Sequence, residues 1–284
     1  MSALADKLRG LRRQAGVTAP APPAPRPALP DNVAALLGVR RRAQAPAPTQ
    51  RHRAREPDTL PGRSIAPGLQ LIEQAHAWPP TPPAFDACFA RLAEVIAPER
   101  LLLFDTETTG LAGGTGTRAF MIGAADWHQG KLRERQLLIT TLGAEAAMLD
   151  HFASWLRPDT VLVSYNGKSY DAPLLKTRYR LHQRACPIAD LAHIDLLHPV
   201  RRRWRGVWEN CRLATVERQL LQVVRDDDLP GAEAPAAWLG YLRGGSAAPL
   251  QRVAKHNSQD LRSLAGILLR FADHPSAMDA TAPR

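Results

Sequence analysis

Cysteine is scarce in this chain. Of 284 residues, three are Cys: Cys88, Cys186 and Cys211. Thiols so far apart, odd in number and without a Cys-x-x-Cys pair argue against a disulfide framework and a zinc ribbon. They fit a reducing compartment, so a cytoplasmic protein is expected. Long apolar runs are missing too. None approaches the ~18 residues that span a bilayer, and the first residues lack the apolar core of a secretory signal, so no membrane partner is expected. An Arg- and Ala-rich amphipathic leader is also compatible with an organelle transit peptide. Acidic residues are outnumbered, 27 against 37 Lys and Arg, which gives a net charge of +10. That excess favours a polyanionic partner, although charge alone does not separate nucleic acid from an acidic membrane.

The charge is unevenly placed. Residues 1–65 hold 12 Lys or Arg and 4 Asp or Glu, a difference of 8, so most of the surplus lies there and the body is close to neutral. Pro-Ala runs such as Ala19-Pro20-Ala21-Pro22-Pro23-Ala24-Pro25 build no core, and residues 1–65 read as a disordered basic tail. Two apolar-basic pieces in it, Leu4–Arg13 and Val33–Arg42, could become helical on binding a protein partner. Residues 66–94 read as an edge segment (Gly68–Ile72) and a linker marked by Pro79-Pro80-Thr81-Pro82-Pro83. The main domain is expected over 95–273, with a short tail over 274–284. No internal repeat is present.

From residue 85 strand and helix patterns alternate. Leu101-Leu102-Leu103-Phe104 has the length of a buried strand. Ala119–Trp127 and Leu132–Thr140 read as strands of a hairpin turning at Gln129-Gly130. Residues 144–157 place Met148, Leu149, Phe152, Trp155 and Leu156 on one helical stripe that Pro158 stops. Val161–Tyr165 is β-rich, and Pro173 opens a helix. A weaker strand near Ile194–Leu197 and helices at Leu213–Leu221 and Ser258–Phe271 complete the pattern. The expected fold class is α/β: a mixed five-stranded sheet flanked by helices.

Three acidic segments carry the chemistry. Asp105 and Glu107 are two apart on a strand and share a face, where their mutual repulsion calls for a cation; oxygen donors suit Mg²⁺ or Mn²⁺. A solvent-exposed strand end would tolerate the same pair. Asp171 follows a buried strand and the Asn166-Gly167 turn, at a helix start where an acid also serves as a cap. His256 and Asp260 are four apart on one helix face, at the margin of the stripe of Leu261, Leu264, Ala265, Leu268 and Leu269, an arrangement a surface pair would also give.

Together these segments resemble the DEDD (DnaQ-like) exonucleases of the ribonuclease H-like superfamily, and among them the bacterial YprB-type proteins. The resemblance spans roughly residues 95–273. It rests on Leu103-Phe104-Asp105-Thr106-Glu107-Thr108-Thr109-Gly110, on Asn166-Gly167-Lys168-Ser169-Tyr170-Asp171-Ala172-Pro173-Leu174-Leu175 and on Asp195-Leu196-Leu197-His198-Pro199. It implies a ribonuclease H-like fold and a phosphodiester hydrolase, acting from a 3′ end on DNA or RNA, on a single strand or an end. It also implies two Mg²⁺ or Mn²⁺ ions per site held by Asp105, Glu107, Asp171 and Asp260, one activating water and the other stabilising the leaving oxygen. His256 would take the proton from the attacking water. One departure stands out. His-type members place His five residues before the last Asp, whereas the four-residue offset here belongs to Tyr-type members. The imidazole is thus turned by about 100° around the helix, which also leaves open a binding module without turnover.

Other features are less distinctive. The glycine-rich stretch Gly110–Thr117 lacks the Lys-Ser/Thr of a P-loop; it reads as a tight connection whose backbone, with Thr108, could approach a nucleotide sugar beside Asn166. Arg201-Arg202-Arg203-Trp204-Arg205 with Trp208 combines phosphate-binding charge with a stacking surface. Asp195 and His193 read as structural, and Asp226-Asp227-Asp228 as a polar loop. A haloacid-dehalogenase-type enzyme fits poorly, since Glu107 replaces the second Asp of its Asp-x-Asp strand. An aspartic protease is excluded, because Asp105-Thr106-Glu107 is not Asp-Thr-Gly.

Overall fold

A computed structural model describes residues 58–110, 115–225 and 229–273. Most of the expected tail, the centre of the glycine-rich stretch, Asp226-Asp227-Asp228 and residues 274–284 lie outside them. The chain enters the main sheet earlier than its sequence announces. Strands β1 (Arg63–Ala66) and β2 (Leu69–Ala77) join it at one edge. Before them, the Asp58 carboxylate accepts the Ala247 N–H at 2.7 Å, so residues 58–65 of the expected tail pack with the main body. Two short strands, β3 (Phe85–Asp86) and β4 (Val95–Ile96), pair with each other.

The centre is an antiparallel meander of β5 (Leu101–Thr108), β6 (Ala119–His128) and β7 (Lys131–Ile139). The β6–β7 turn falls at the two expected residues. Gln129 and Gly130 both have positive φ, 51° and 72°, the backbone twist that a two-residue hairpin needs. Helix α1 (Glu145–Ala153) leads to β8 (Val161–Ser164), parallel to β5, and α2 (Asp171–Leu181) crosses to β9 (Ala192–Asp195), parallel to β8. Helices α3 (Leu197–Trp204), α4 (Leu213–Val216), α5 (Ala234–Leu242) and α6 (Ala248–Asp273) follow. After α4 the chain widens into a π turn over Glu217–Leu221. The sheet has seven strands, ordered β1-β2-β7-β6-β5-β8-β9. Mixed pairing with flanking helices is the expected class. The two strands beyond five are β1 and β2, because β7 offers its free edge to β2 from Lys131 to Ile139.

Alternation along β5 sets up the site. Leu102 and Phe104 pack into one cluster with Met148, Leu149, Phe152 and Leu175, while Leu101 and Leu103 pack into another with Val200, Leu261, Leu264 and Leu268. The period of two carries Asp105 and Glu107 onto the second row. Helix α6 belongs to both clusters: Leu250, Val253 and Ala254 lie in the first, and Leu261, Leu264 and Leu268 in the second. It begins about ten residues before the expected start, since these early apolar residues also need covering. Between the two sets, the middle of α6 meets β5 at Asp105.

Candidate active site

Asp105 is held by a contact that depends on an absent side chain. Gly123 of β6 lies opposite it, and a Cβ there would stand 2.0 Å from Asn257 Oδ1. Without that Cβ, Asn257 of α6 fits against the sheet, fully buried, and donates its Nδ2 to Asp105 Oδ2 at 2.8 Å. Gln136 of β7 fixes the amide's orientation by donating Nε2 to Asn257 Oδ1 at 2.8 Å and to the Ala254 carbonyl at 2.8 Å. Gln136 leaves the amide NH₂ as the group facing Asp105.

Asp171 is delivered by the turn between β8 and α2. Asn166 adopts a positive φ of 67°. At Gly167 a Cβ would stand 2.4 Å from Ser164 Oγ and 3.2 Å from Asp171 Oδ2, so the turn closes only with glycine. Asp195, at the end of β9, gathers the turn by accepting the N–H groups of Asn166 (2.7 Å), Lys168 (3.1 Å) and Leu197 (3.1 Å). Beside it His193 Nε2 meets Ser164 Oγ at 2.8 Å, and burial pushes the imidazole down to about 4, so it is neutral at pH 7. Both residues make contacts of the kind a structural role requires. Asp171 is the first residue of α2, and Tyr170 before it gives no side-chain cap. The Thr106 hydroxyl donates to Asp171 Oδ1 from β5. Burial pushes the Asp171 carboxyl up to about 6, against the opposing hydrogen bond from Thr106.

Asp260 and His256 lie at the margin between core and solvent, with side chains 14% and 18% exposed. Their neighbour is a cation that the motif spacing did not point to. Arg225 hydrogen-bonds Asp260 Oδ1 and the buried Glu217, with Nη2 to Oε1 at 2.5 Å and Nε to Oε2 at 2.8 Å. Its Nη1 stands 3.2 Å from His256 Nδ1. A guanidinium only donates, so in this contact Nδ1 accepts, and the other ring nitrogen, Nε2, lies 3.6 Å from Asp260 Oδ2. Burial opposes charge on Arg225, but its hydrogen bond to Glu217 and the charge of Asp260 raise its pKa nonetheless.

The carboxylates share one electrostatic field. Burial, then the charges of Asp260, Asp171 and Glu107, hold the Asp105 carboxyl well above the usual range, and the Asn257 amide opposes them. Asp260 is raised by burial, with Arg225 and His256 opposing. Oxygen donors of this kind suit a hard divalent ion, and a cation would relieve the repulsion at Asp105. As placed, among the described residues no three His, Cys, Asp or Glu side chains close around a common metal position. The physical reason is visible at each acid: Asp260 faces Arg225, Asp171 faces Thr106, and Asp105 faces Asn257.

The model of the RNase_H superfamily matches residues 102–271. The chain belongs to that superfamily. Its motifs resemble the same superfamily. The chain is also 36% identical over 173 residues to the uncharacterized protein YprB of Bacillus subtilis (strain 168), covering 61% of this chain and 42% of the relative, so it spans less than half of that protein's length. Among solved structures, the family B DNA polymerase of the archaeon Pyrobaculum calidifontis aligns at TM-score 0.47 and 15% identity, covering 73% of this chain and 29% of the polymerase. The zinc-bound Escherichia coli ExoI–ssDNA complex aligns at 0.41 and 16%, covering 63% and 42%. No helix among the described residues is long and apolar enough to cross a membrane.

In this RNase_H superfamily chain a cleft of about 380 Å³ is lined by Asp105, Asp171, Thr108, Gly110, Asn166 and Tyr170, among others. Five residues singled out from the sequence thus meet on one surface. Thr108 Oγ1 donates to the Gly110 carbonyl at 3.0 Å, and Glu107 is buried two residues past Asp105. The basic segment divides. Arg201 lines a neighbouring cleft. Arg202 reaches the Phe89 carbonyl, Arg203 lies 5.8 Å from the Trp204 ring, and Trp204 stacks on Trp208 at 4.5 Å. Residues 197–204 are helical, and successive side chains about 100° apart cannot face one strand together.

Proposed function

We propose that this chain is a divalent-metal-dependent nuclease that shortens nucleic acid from a 3′ end, with residues 95–273 carrying the chemistry. Superfamily membership supports a nuclease in general. The observation that favours this site is Asp105, whose carboxyl is raised by burial and then by the charges of Asp260, Asp171 and Glu107 beside it. Asp105, Glu107, Asp171 and Asp260 would hold Mg²⁺ or Mn²⁺. When bound, two such ions lower the pKa of a water and stabilise the leaving oxygen. Asn257 and Thr106 orient Asp105 and Asp171 for that task. His256 takes one proton from the attacking water; the oxygen bonds phosphorus, the P–O3′ bond breaks, and the departing 3′ oxygen is protonated from solvent. For His256 to accept a proton, Arg225 must release Nδ1, because that lone pair is engaged.

Incubation with 5′-labelled single- and double-stranded DNA and RNA, in Mn²⁺ or EDTA, tests the proposal. A ladder of shortened products is expected with Mn²⁺ and none with EDTA. Asp105→Asn should slow it on the order of 10³-fold, about 4 kcal/mol of barrier. Retained metal-dependent cleavage in that variant would reject the role of Asp105. A second reading, a nucleic-acid-binding module without turnover, is favoured by the hold of Arg225 on both Asp260 and His256. Tight binding and intact strands under every metal condition would decide for it.

A further inference from the structure

Next to the acid cleft lies a second cleft of about 590 Å³ that the carboxylates do not enter. Tyr165 and Asn166 line both, so the two share a wall. Three exposed arginines line the second cleft: Arg201 from α3, Arg205 just after it, and Arg212 before α4. None of the three forms an ion pair with a described residue. The one acid on this wall, Glu209, is already bonded by Arg218. Trp208 also lines the cleft.

The wall is built rather than loose. The Asn210 side chain accepts the Arg212 N–H at 2.9 Å and the Thr215 hydroxyl at 2.8 Å. The Tyr165 hydroxyl donates to the Cys211 carbonyl at 2.5 Å, tying the arginine loop to the end of β8. Trp208 is fixed by parallel stacking on Trp204. Three unneutralised guanidinium groups on a fixed frame match the fork geometry that phosphate oxygens accept. The volume suits roughly one or two nucleotides, in the range of small-ligand pockets.

We propose that Arg201, Arg205 and Arg212 form a phosphate subsite for single-stranded nucleic acid, gripping the strand one or two nucleotides from the position held at Asp105 and Asp171. A base beside that phosphate meets Trp208, and Tyr170, 56% exposed, stands at the mouth of the acid cleft. Base faces are open to aromatic side chains in single strands and closed by pairing in a duplex. The inference rests on the nuclease reading for where the strand end lies, but not for binding itself.

Fluorescence anisotropy with a labelled single-stranded oligonucleotide in EDTA, over a salt series, tests it on the full chain. Arg201→Ala/Arg205→Ala/Arg212→Ala should weaken binding at least tenfold and reduce the salt slope by about 0.7 for each phosphate no longer neutralised. The control Arg91→Ala/Lys131→Ala/Arg180→Ala removes the same charge from residues outside this cleft and should change affinity less than threefold. Equal losses in the two triple variants would overturn the subsite. A larger loss on duplex than on single strands would overturn its substrate class. Because no metal is present, the subsite can stand where cleavage fails, and cleavage can stand where the subsite fails. Unchanged melting temperatures keep both comparisons on folded protein.

Discussion

The acid site has two halves held by opposite means. At Asp105 and Asp171 the carboxylates are oriented by neutral donors, the Asn257 amide and the Thr106 hydroxyl. At Asp260 the partner is a full positive charge, Arg225, shared with the buried Glu217. A neutral donor fixes direction but adds no charge. Burial, and then the charges of Asp260, Asp171 and Glu107, hold Asp105 well above the ordinary carboxylate range although the Asn257 amide opposes them. A guanidinium compensates charge but occupies the side of the carboxylate that an incoming cation needs. On the proposed reading, the first half would take a metal ion without displacing a charged partner, whereas the second would first have to release Arg225.

The largest break in that contrast is Arg225→Ala. It strands Glu217, 1% exposed, and Asp260 without their cation. Removing one partner of a buried ion pair costs about 3–5 kcal/mol, read here as a fall in the urea midpoint measured in EDTA. Mn²⁺ should recover more of that stability in the variant than it adds to the wild type, since Asp260 is then open to it. An equal Mn²⁺ increment in both proteins would show that Arg225 does not compete at this position.

The neutral half is broken by volume instead of charge. Gly123→Ala places a Cβ where Asn257 Oδ1 now stands, 2.0 Å away, with β6 backbone on one side and α6 on the other. Overpacking of this kind costs about 1–3 kcal/mol. Adding Asn257→Ala to it should recover part of the loss, because the clashing atom is gone. The double-mutant cycle should therefore show a favourable coupling of about 1 kcal/mol or more. Strict additivity would mean that α6 had moved as a body and that the amide does not set the approach.

How much of this was legible in the sequence follows from the range of each interaction. Asp105 and Glu107 stand out because a strand's period of two is local, and the apolar run before them is uninterrupted. His256 and Asp260 stand out because one helical turn is local as well. Asn257 is legible only as a neighbour in the same text; its partners Asp105 and Gln136 lie 152 and 121 positions away, and no local pattern encodes them. Arg225 was hidden for the same reason, 35 positions from Asp260 and beside the Asp226-Asp227-Asp228 stretch that reads as a polar loop. In the fold, β5 to β8 were readable from apolar runs and the Gln129-Gly130 turn. Strand β2 was only half readable, because Leu69, Leu71 and Ile72 are buried while Glu73, Gln74 and Ala75 are exposed, and pairing with β7 carries the rest. Helix α5 was missed, since Pro235 and Gly240 interrupt its text while Trp238 buries it.

The smallest effect tests why the first half tolerates a histidine beneath its turn. His193 stays neutral against Ser164, its pKa lowered by burial from 6.5 to about 4. Between those values the unfolded chain binds a proton that the folded chain refuses. This contribution is therefore fully present above about pH 6.5 and is lost as pH falls toward 4, at a slope of at most about 1.4 kcal/mol per pH unit. Asp171, raised to about 6, acts in the opposite sense, favouring the fold at low pH and losing that contribution as pH rises from 3.8 through 6. Wild type alone blends the two. His193→Gln keeps a side chain able to bond Ser164 and does not titrate, so the difference between variant and wild type isolates the imidazole. The variant should be somewhat less stable at pH 7.5 and gain on the wild type steadily down to pH 4.5. A constant difference across that range would place the imidazole in water and leave the turn to Asp195 alone.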